Sequence, residues 1–243
     1  MPDTHYVHPR LAAIYDRDSG WSEDRDFYLA LARDREMRIL DLGCGTGLIA
    51  RAYAARGHHV TGVDPAEAML EAGRHEPHGE AIEWVHGFAQ TYASDTRFDL
   101  IIMTGNAFQV LLNDVDVLAT FATVRGQLAP GGIAVFESRN PAIDWAEIWD
   151  KAEIVHRLPD GDVRITRHFL AWNGDRMTFE HRYRFPDETL VSRSVLRFMT
   201  AEEIDDRLDA AGLRIERLMG DWSGEPFDPA SSEEMVFRVG AAD

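Results

Sequence analysis

The sequence predicts an α/β protein built on a doubly wound, mostly parallel sheet, with an antiparallel β insertion after the fifth strand. Three observations carry this prediction. From residue 38 to residue 140, short apolar runs alternate with amphipathic stretches, the signature of βα units. The first run, Ile39-Leu40-Asp41-Leu42, opens directly into the glycines Gly43, Gly45 and Gly47 and then a helical pattern. After Pro141 the rhythm changes, and Asn173-Gly174 predicts a tight hairpin between arms 162–172 and 175–184.

Five strands are expected at 38–42, 59–63, 81–85, 98–103 and 132–137. The helix over 48–56 stops at Gly57, a C′ glycine, and the next one is expected to start at Asp64-Pro65, a cap followed by proline at the first helical position. Asn113 can cap a later helix, with Asp114 and Asp116 favourable in its first turn. In the second hairpin arm Met177, Phe179, His181 and Tyr183 share one face, and Arg176, Thr178, Glu180 and Arg182 the other. A third strand is expected at 190–198. Thr200-Ala201-Glu202-Glu203 is a capping box whose helix aligns Ile204, Leu208 and Ala211 and ends near Gly212; strands at 214–218 and 234–239 complete the sheet.

Composition narrows the function. With 45% of its 243 residues apolar, the chain can bury a sizeable core. Its 42 acidic against 25 basic residues give a net charge of −17, which argues against nucleic acid and anionic membranes as partners. Cys44 is the only cysteine, so no intrachain disulfide and no Cys-rich zinc site can form. Residues 1–10 lack the apolar core of a signal peptide and no apolar run of about 18 residues occurs, so a cytoplasmic protein is expected.

The glycine loop offers close backbone approach and the free N–H groups of a helix start. Two ligand classes fit it. Gly45-Thr46-Gly47-Leu48-Ile49-Ala50 satisfies a dinucleotide pattern, with Asp64 nineteen residues after Gly45 as the ribose-binding acid. Asp41, two residues before the first glycine, would repel a pyrophosphate; it suits a ligand carrying an ammonium and a sulfonium, the charges of S-adenosylmethionine. Asp64 serves an adenosine ribose under either reading.

With these residues in view, the chain resembles class I S-adenosylmethionine-dependent methyltransferases of the small-molecule type. Four ordered motifs carry the likeness: Asp41-Leu42-Gly43-Cys44-Gly45-Thr46-Gly47, Val60-Thr61-Gly62-Val63-Asp64-Pro65, Phe98-Asp99-Leu100-Ile101-Ile102-Met103 and Leu128-Ala129-Pro130-Gly131-Gly132. The resemblance implies a Rossmann-like seven-stranded sheet whose last strand is antiparallel, in one domain spanning 1–243. Within it, 1–35 would form an N-terminal helical lid, 36–140 the cofactor-binding core, 141–198 an antiparallel cover or dimer contact, and 199–243 the final helix and strands.

It also implies a site. Gly43, Cys44 and Gly45 would meet the methionine part of S-adenosylmethionine through their backbone, Asp64 the ribose, and Pro65 and Met69 the adenine. In the turn Gly87-Phe88-Ala89, Phe88 stands where an acidic residue normally accepts from the adenine amino group, leaving ring packing, backbone carbonyls or Gln90 for that task. Met103, Thr104 and Gly105 would lie under the sulfonium, and Tyr15 and Trp21 are lid candidates through cation–π attraction.

For the chemistry, Asn106, Glu137, Arg139 and His181 are the catalytic or acceptor-binding candidates. Each has a structural alternative: helix capping for Asn106, a local polar network for Glu137 and Arg139, and core packing for His181. Asp99 sits at the wrong strand end for a metal, and none is expected. The expected function is in-line methyl transfer from S-adenosylmethionine, giving S-adenosylhomocysteine, to oxygen or nitrogen of a small-molecule acceptor, by a monomer or homodimer. A non-catalytic S-adenosylmethionine-binding regulatory protein and an NAD-dependent oxidoreductase are the alternatives.

Overall fold

The computed structural model describes residues 6, 8–32, 35–149, 153–158 and 161–242. Its main sheet has seven strands, β1 (Arg38–Leu42), β2 (His59–Asp64), β3 (Ile82–His86), β4 (Phe98–Met103), β5 (Leu128–Arg139), β10 (Leu213–Met219) and β11 (Glu234–Ala241), in the order β10-β11-β5-β4-β1-β2-β3. Both antiparallel pairings involve β11, against β5 and β10; the others are parallel. The second sheet holds β6 (Glu153–Leu158), β7 (Gly161–Asn173), β8 (Arg176–Arg184) and β9 (Thr189–Arg197), each antiparallel to the next. The helices are α1 (Pro9–Ser19), α2 (Glu23–Ala30), α3 (Leu48–Ala55), α4 (Glu67–Arg74), α5 (Asp114–Gln127), α6 (Trp145–Trp149) and α7 (Ala201–Ala210). No described helix is long and apolar enough to cross a membrane.

Period-two alternation splits the core between the faces of the main sheet. Ile39, Val60, Leu100, Ile102 and Val135 pack with Tyr28 of α2 and Ile49 and Tyr53 of α3. Leu40, Leu42, Ile101, Phe136 and Phe237 pack with Phe121 of α5 and Ile204 and Leu208 of α7. The Asn113 cap and the Thr200–Glu203 capping box both form. Between β3 and β4 there is only the short turn Ala89–Thr91, leaving an open pocket of about 350 Å³ whose lining includes Val63, Val85, Phe88 and Tyr92.

Three local expectations are corrected. Asp64-Pro65 does not start a helix: Asp64 ends β2, its carboxylate is engaged across the loops, and α4 begins at Glu67 behind Ala66. The hairpin turn is Gly174-Asp175, one residue later than expected, because Asn173 still pairs with Arg176 and Gly174 takes the positive φ of 62°. Among the described residues before β1 the expected helical segment divides. Within them α2 is built into a sheet face through Tyr28 and Leu29, and only α1 bridges to the second sheet.

That bridge is specific. Leu11 and Ile14 of α1 pack with Val163, Ile165, Tyr183 and Phe185, and Arg10 pairs with Asp187 at 2.8 Å and with Glu188 while lying 3.8 Å from the Phe185 ring centroid. At the opposite edge α4 presses on the glycine loop: a Cβ at Gly73 would stand 2.3 Å from the carbonyl oxygen of Thr46 and 2.6 Å from the Trp84 ring. Backbone cannot yield as a side chain can, so Gly73→Ala should destabilise the protein by about 1–3 kcal/mol. Thermal denaturation should show a melting temperature several degrees lower, with Gly126→Ala, helical but with open space for a Cβ, as the control that keeps or raises it.

Candidate functional site

The glycine loop leaves β1 and is held from β2. Gly43 N–H and Cys44 N–H donate to Val63 O at 2.8 and 3.1 Å. Asp64 Oδ2 accepts from Gly45 N–H at 2.9 Å, and its Oδ1 from Ala66 N–H at 2.8 Å. Burial raises the Asp64 pKa, and these two backbone donors oppose the rise. At Gly45, with φ of 57°, a Cβ would sit 3.3 Å from Met69 Cε and 4.0 Å from Tyr15 Cε1, so α1 and α4 close on the loop and leave backbone exposed between them. Asp16 of α1 accepts from Thr46 Oγ1 and pairs with Arg51 of α3, anchoring α1 over the loop.

Asp41 is fully buried and neither carboxylate oxygen has a hydrogen-bond partner. Burial, followed by the negative charges of Asp64 and Glu137, pushes its pKa up to about 8. An orphaned carboxylate beside open glycine backbone fits the ammonium end of S-adenosylmethionine and opposes a pyrophosphate. Burial also raises the Cys44 thiol, keeping it protonated rather than nucleophilic.

At the ends of β4 and β5 the chain assembles a second polar group. Met103 is buried, and Thr104 and Gly105 lead to Asn106, which adopts left-handed φ of 59°. Asn106 N–H donates to Glu137 Oε1 at 2.5 Å, while Tyr28 OH donates to Glu137 Oε2. Burial raises Glu137 to about 8 against these two donors. The Asn106 amide donates to Glu234, itself raised to about 7 by burial; Asn106 Oδ1 and Glu234 Oε2 are buried without partners.

Arg139 Nη1 donates to Gln109 Oε1 at 2.9 Å, Gln109 Nε2 donates to Arg197 O at 3.1 Å, and the Arg139 guanidinium lies 4.8 Å from the Trp149 ring centroid. His181 does face inward on β8, but its Nε2 accepts from Arg167 Nε at 2.8 Å.

The expected residues thus fall into two neighbouring groups: Tyr15, Asp41, Gly43, Cys44, Gly45, Asp64 and Met69 around the glycine loop, and Asn106, Glu137 and Arg139 at the ends of β4 and β5. Pro65 follows Asp64, with its carbonyl oxygen 3.1 Å from His86 Nε2. Phe88 and Ala89 sit at the turn beside the open pocket, with Phe88 half exposed. Trp21 is exposed and its indole N–H donates to Asp26 Oδ1 at 2.8 Å. Among the described residues no three His, Cys, Asp or Glu side chains gather as a metal-ligand set.

Sequence reading missed Tyr28, Glu234, Asp16 and Arg167. The first two reach the site only through tertiary contacts, whereas the acid in the segment Tyr15-Asp16 offered a local signal that passed unused.

Comparison with known proteins agrees with this geometry. A methyltransferase-domain family model matches residues 39–132, which span β1 through the start of β5. A putative methyltransferase of Bacillus subtilis (strain 168) is 28% identical, with 93% of this chain and 90% of that protein covered. The cypemycin N-terminal methyltransferase of a Streptomyces species is also 28% identical, covering 82% of this chain and 81% of its own. Among solved structures, the amino pentose methyltransferase CalS10 of Micromonospora echinaspora superposes with a TM-score of 0.72 at 24% identity, over 98% of this chain and 99% of that one. With the strand order, the reversed β11 and the acidic glycine loop, these matches support a class I S-adenosylmethionine-dependent methyltransferase.

Proposed function

We propose that this enzyme moves the methyl group of S-adenosylmethionine to a nitrogen or oxygen of a small-molecule acceptor bound between the ends of β4 and β5, α1 and the second sheet. The observation that carries the reading is the buried, partnerless Asp41 carboxylate next to the open backbone of Gly43–Gly45, a setting that favours a cation. Asp64 presents its remaining lone pairs to the ribose hydroxyls, Pro65 and Met69 flank the adenine, and Phe88 offers a ring face in place of the missing acid. Tyr15 closes the methionine side, and Thr104 and Gly105 underlie the sulfonium. The names of the relatives, an N-terminal methyltransferase and an amino pentose methyltransferase, support a small amine or hydroxyl acceptor.

When bound, the cofactor supplies an electrophilic methyl on an already activated leaving group, so the protein's main task is positioning. Tyr28 and the Asn106 N–H occupy both Glu137 oxygens, which makes Glu137 the anchor of the Asn106 turn. In this reading Glu234, oriented by the Asn106 amide and with Oε2 unpartnered, takes the acceptor's proton; a group near 7 is matched to that role at neutral pH. The Arg167 bond uses the His181 lone pair, so His181 positions Arg167 and leaves proton removal to Glu234.

Calorimetric titration tests the cofactor assignment: S-adenosylhomocysteine should bind and Asp64→Ala should weaken it by about 100-fold, about 2.7 kcal/mol. Binding of NAD without binding of S-adenosylhomocysteine would overturn the assignment.

The Asp41 pKa gives a second, signed expectation. Below about pH 8 the free protein holds a proton on Asp41, and the cofactor ammonium displaces it. Affinity for S-adenosylhomocysteine should therefore rise with pH toward 8, by at most roughly tenfold per unit, and level off above it. Asp41→Asn should bind more weakly and lose this component of the slope; an unchanged profile would remove Asp41 from the ammonium site.

Glu234→Gln should lower kcat by about 100-fold and abolish the acid limb of the rate profile, leaving S-adenosylhomocysteine affinity intact. Single-turnover rates across pH check this, and an unaltered limb would deny Glu234 the proton.

A further inference from the structure

The turn that follows β4 is held in an unfavourable conformation from outside itself. Gly105 and Asn106 are consecutive left-handed residues, with φ of 67° and 59°. For Asn106, which carries a Cβ, that conformation persists only where the surroundings enforce it. Its N–H donates to Glu137 Oε1 at 2.5 Å, and its carbonyl accepts from Gln109 N–H at 3.0 Å. The Gln109 bond belongs to the turn, so Glu137 is the external tie. The same turn lies against the glycine loop, where a Cβ at Gly43 would stand 3.0 Å from Ala107 Cβ.

Glu137 is held in turn by Tyr28, whose hydroxyl donates to Oε2 across 109 residues of sequence. Tyr28 is fully buried in α2, its ring centroid 5.5 Å from that of Phe27 and 6.0 Å from that of Trp222. A phenylalanine would keep those ring contacts and lose the bond to Glu137. With Asn106 N–H as its remaining donor, the buried carboxyl group is free to turn about that bond or to take up a proton. The Asn106 amide donates to Glu234, so the contacts run Tyr28, Glu137, Asn106, Glu234, from α2 to β11. Glu234 is also faced by Arg139, Glu233 and Asp24, and Glu137 by Glu234 and Asp24. Tyr28 bonds to Glu137, so its effect on Glu234 travels through Asn106.

We propose that Tyr28 is a positioning residue of the transfer site: by fixing Glu137 from α2, it holds Asn106 in the left-handed turn that aims its amide at Glu234. This rests on the reading of the β4–β5 edge as the acceptor site, which is what gives the aim of Asn106 a consequence. The two described helices before β1 then divide the work. Through Asp16, α1 is tied to the glycine loop on the cofactor side, and through Tyr28, α2 sets the acceptor side.

The test uses the full chain, isotope-labelled for nuclear magnetic resonance and saturated with S-adenosylhomocysteine, and compares Tyr28→Phe with Tyr53→Phe. The second variant also removes a buried hydroxyl, but one that meets the Tyr28 carbonyl, which keeps its bond from Leu31 N–H. Tyr28→Phe should speed hydrogen exchange at the Asn106 amide by about tenfold or more, and Tyr53→Phe should leave it unchanged. Tyr28→Phe should also raise the titration midpoint of the Glu234 carboxyl group, because losing the Asn106 donor disfavours the charged form. Equal Asn106 exchange in the two variants, or a Glu234 midpoint that Tyr28→Phe leaves in place, overturns the proposal. S-adenosylhomocysteine affinity in the same samples reports separately on the methyltransferase reading. Exchange and titration are read the same way without that ligand, so a failure of the one is told from a failure of the other. If Tyr28→Phe does not fold, the substitution is made in the Glu137→Gln background, where no buried charge is stranded. The same tenfold rise over Glu137→Gln alone is expected there, and equal exchange again overturns the proposal.

Discussion

Asp64 joins two loops with one side chain, and the cofactor platform depends on that junction. The glycine loop after β1 and the turn after β2 come from different βα units, and neither has a regular ladder to hold it. Asp64 Oδ2 receives Gly45 N–H and Oδ1 receives Ala66 N–H, so both loops are referred to the end of β2. The Val63 carbonyl adds Gly43 and Cys44 to the same support. Each Asp64 oxygen retains a further lone pair, so the residue that shapes the platform still has capacity to receive a ligand.

The second dependence runs through α1. Its Leu11 and Ile14 belong to the core of the second sheet, its Ala12 packs with Ala66 and Met69, and its Asp16 is tied to Thr46 and Arg51. Two faces of one helix therefore meet the second sheet and the glycine loop. A rigid helix transmits displacement without absorbing it, so the two walls of the site cannot relax independently while α1 is seated. Gln109 makes the matching link at the other side, from Arg139 on β5 to the Arg197 carbonyl on β9.

Local patterns made much of this fold legible before any coordinates. The strands of the parallel core, the glycine loop, the Asn113 cap and the Thr200–Glu203 box depend on residues within a few positions of one another, and they form where the sequence places them. The misread start of α4 has the opposite origin. Asp64-Pro65 has the grammar of a helix cap, but the carboxylate is claimed by Gly45, nineteen residues earlier in the chain. The same distance problem hid Tyr28, whose hydroxyl meets Glu137 across 109 residues, and Glu234, which reaches Arg139 only through the antiparallel register of β11 with β5. The exposure of Trp21 was illegible for a related reason: an aromatic residue in a polar segment carries no mark of whether its indole finds Asp26 or a cofactor.

The charge of the chain acquires a local meaning from these contacts. Asp41, Glu137 and Glu234 are all buried and all raised to about 8 or 7, and Asp41 feels both Asp64 and Glu137 as repulsion. A core selected for stability alone would replace such groups with apolar ones of similar volume, since buried carboxylates with raised pKa values weaken the fold as pH rises through those values. Their retention leaves a cluster of carboxyl groups at the strand ends beside the glycine loop. A site of that kind is out of balance when alone. A ligand that places cationic charge by the glycine loop restores the balance, and that requirement selects among ligands more sharply than the net charge of −17 does.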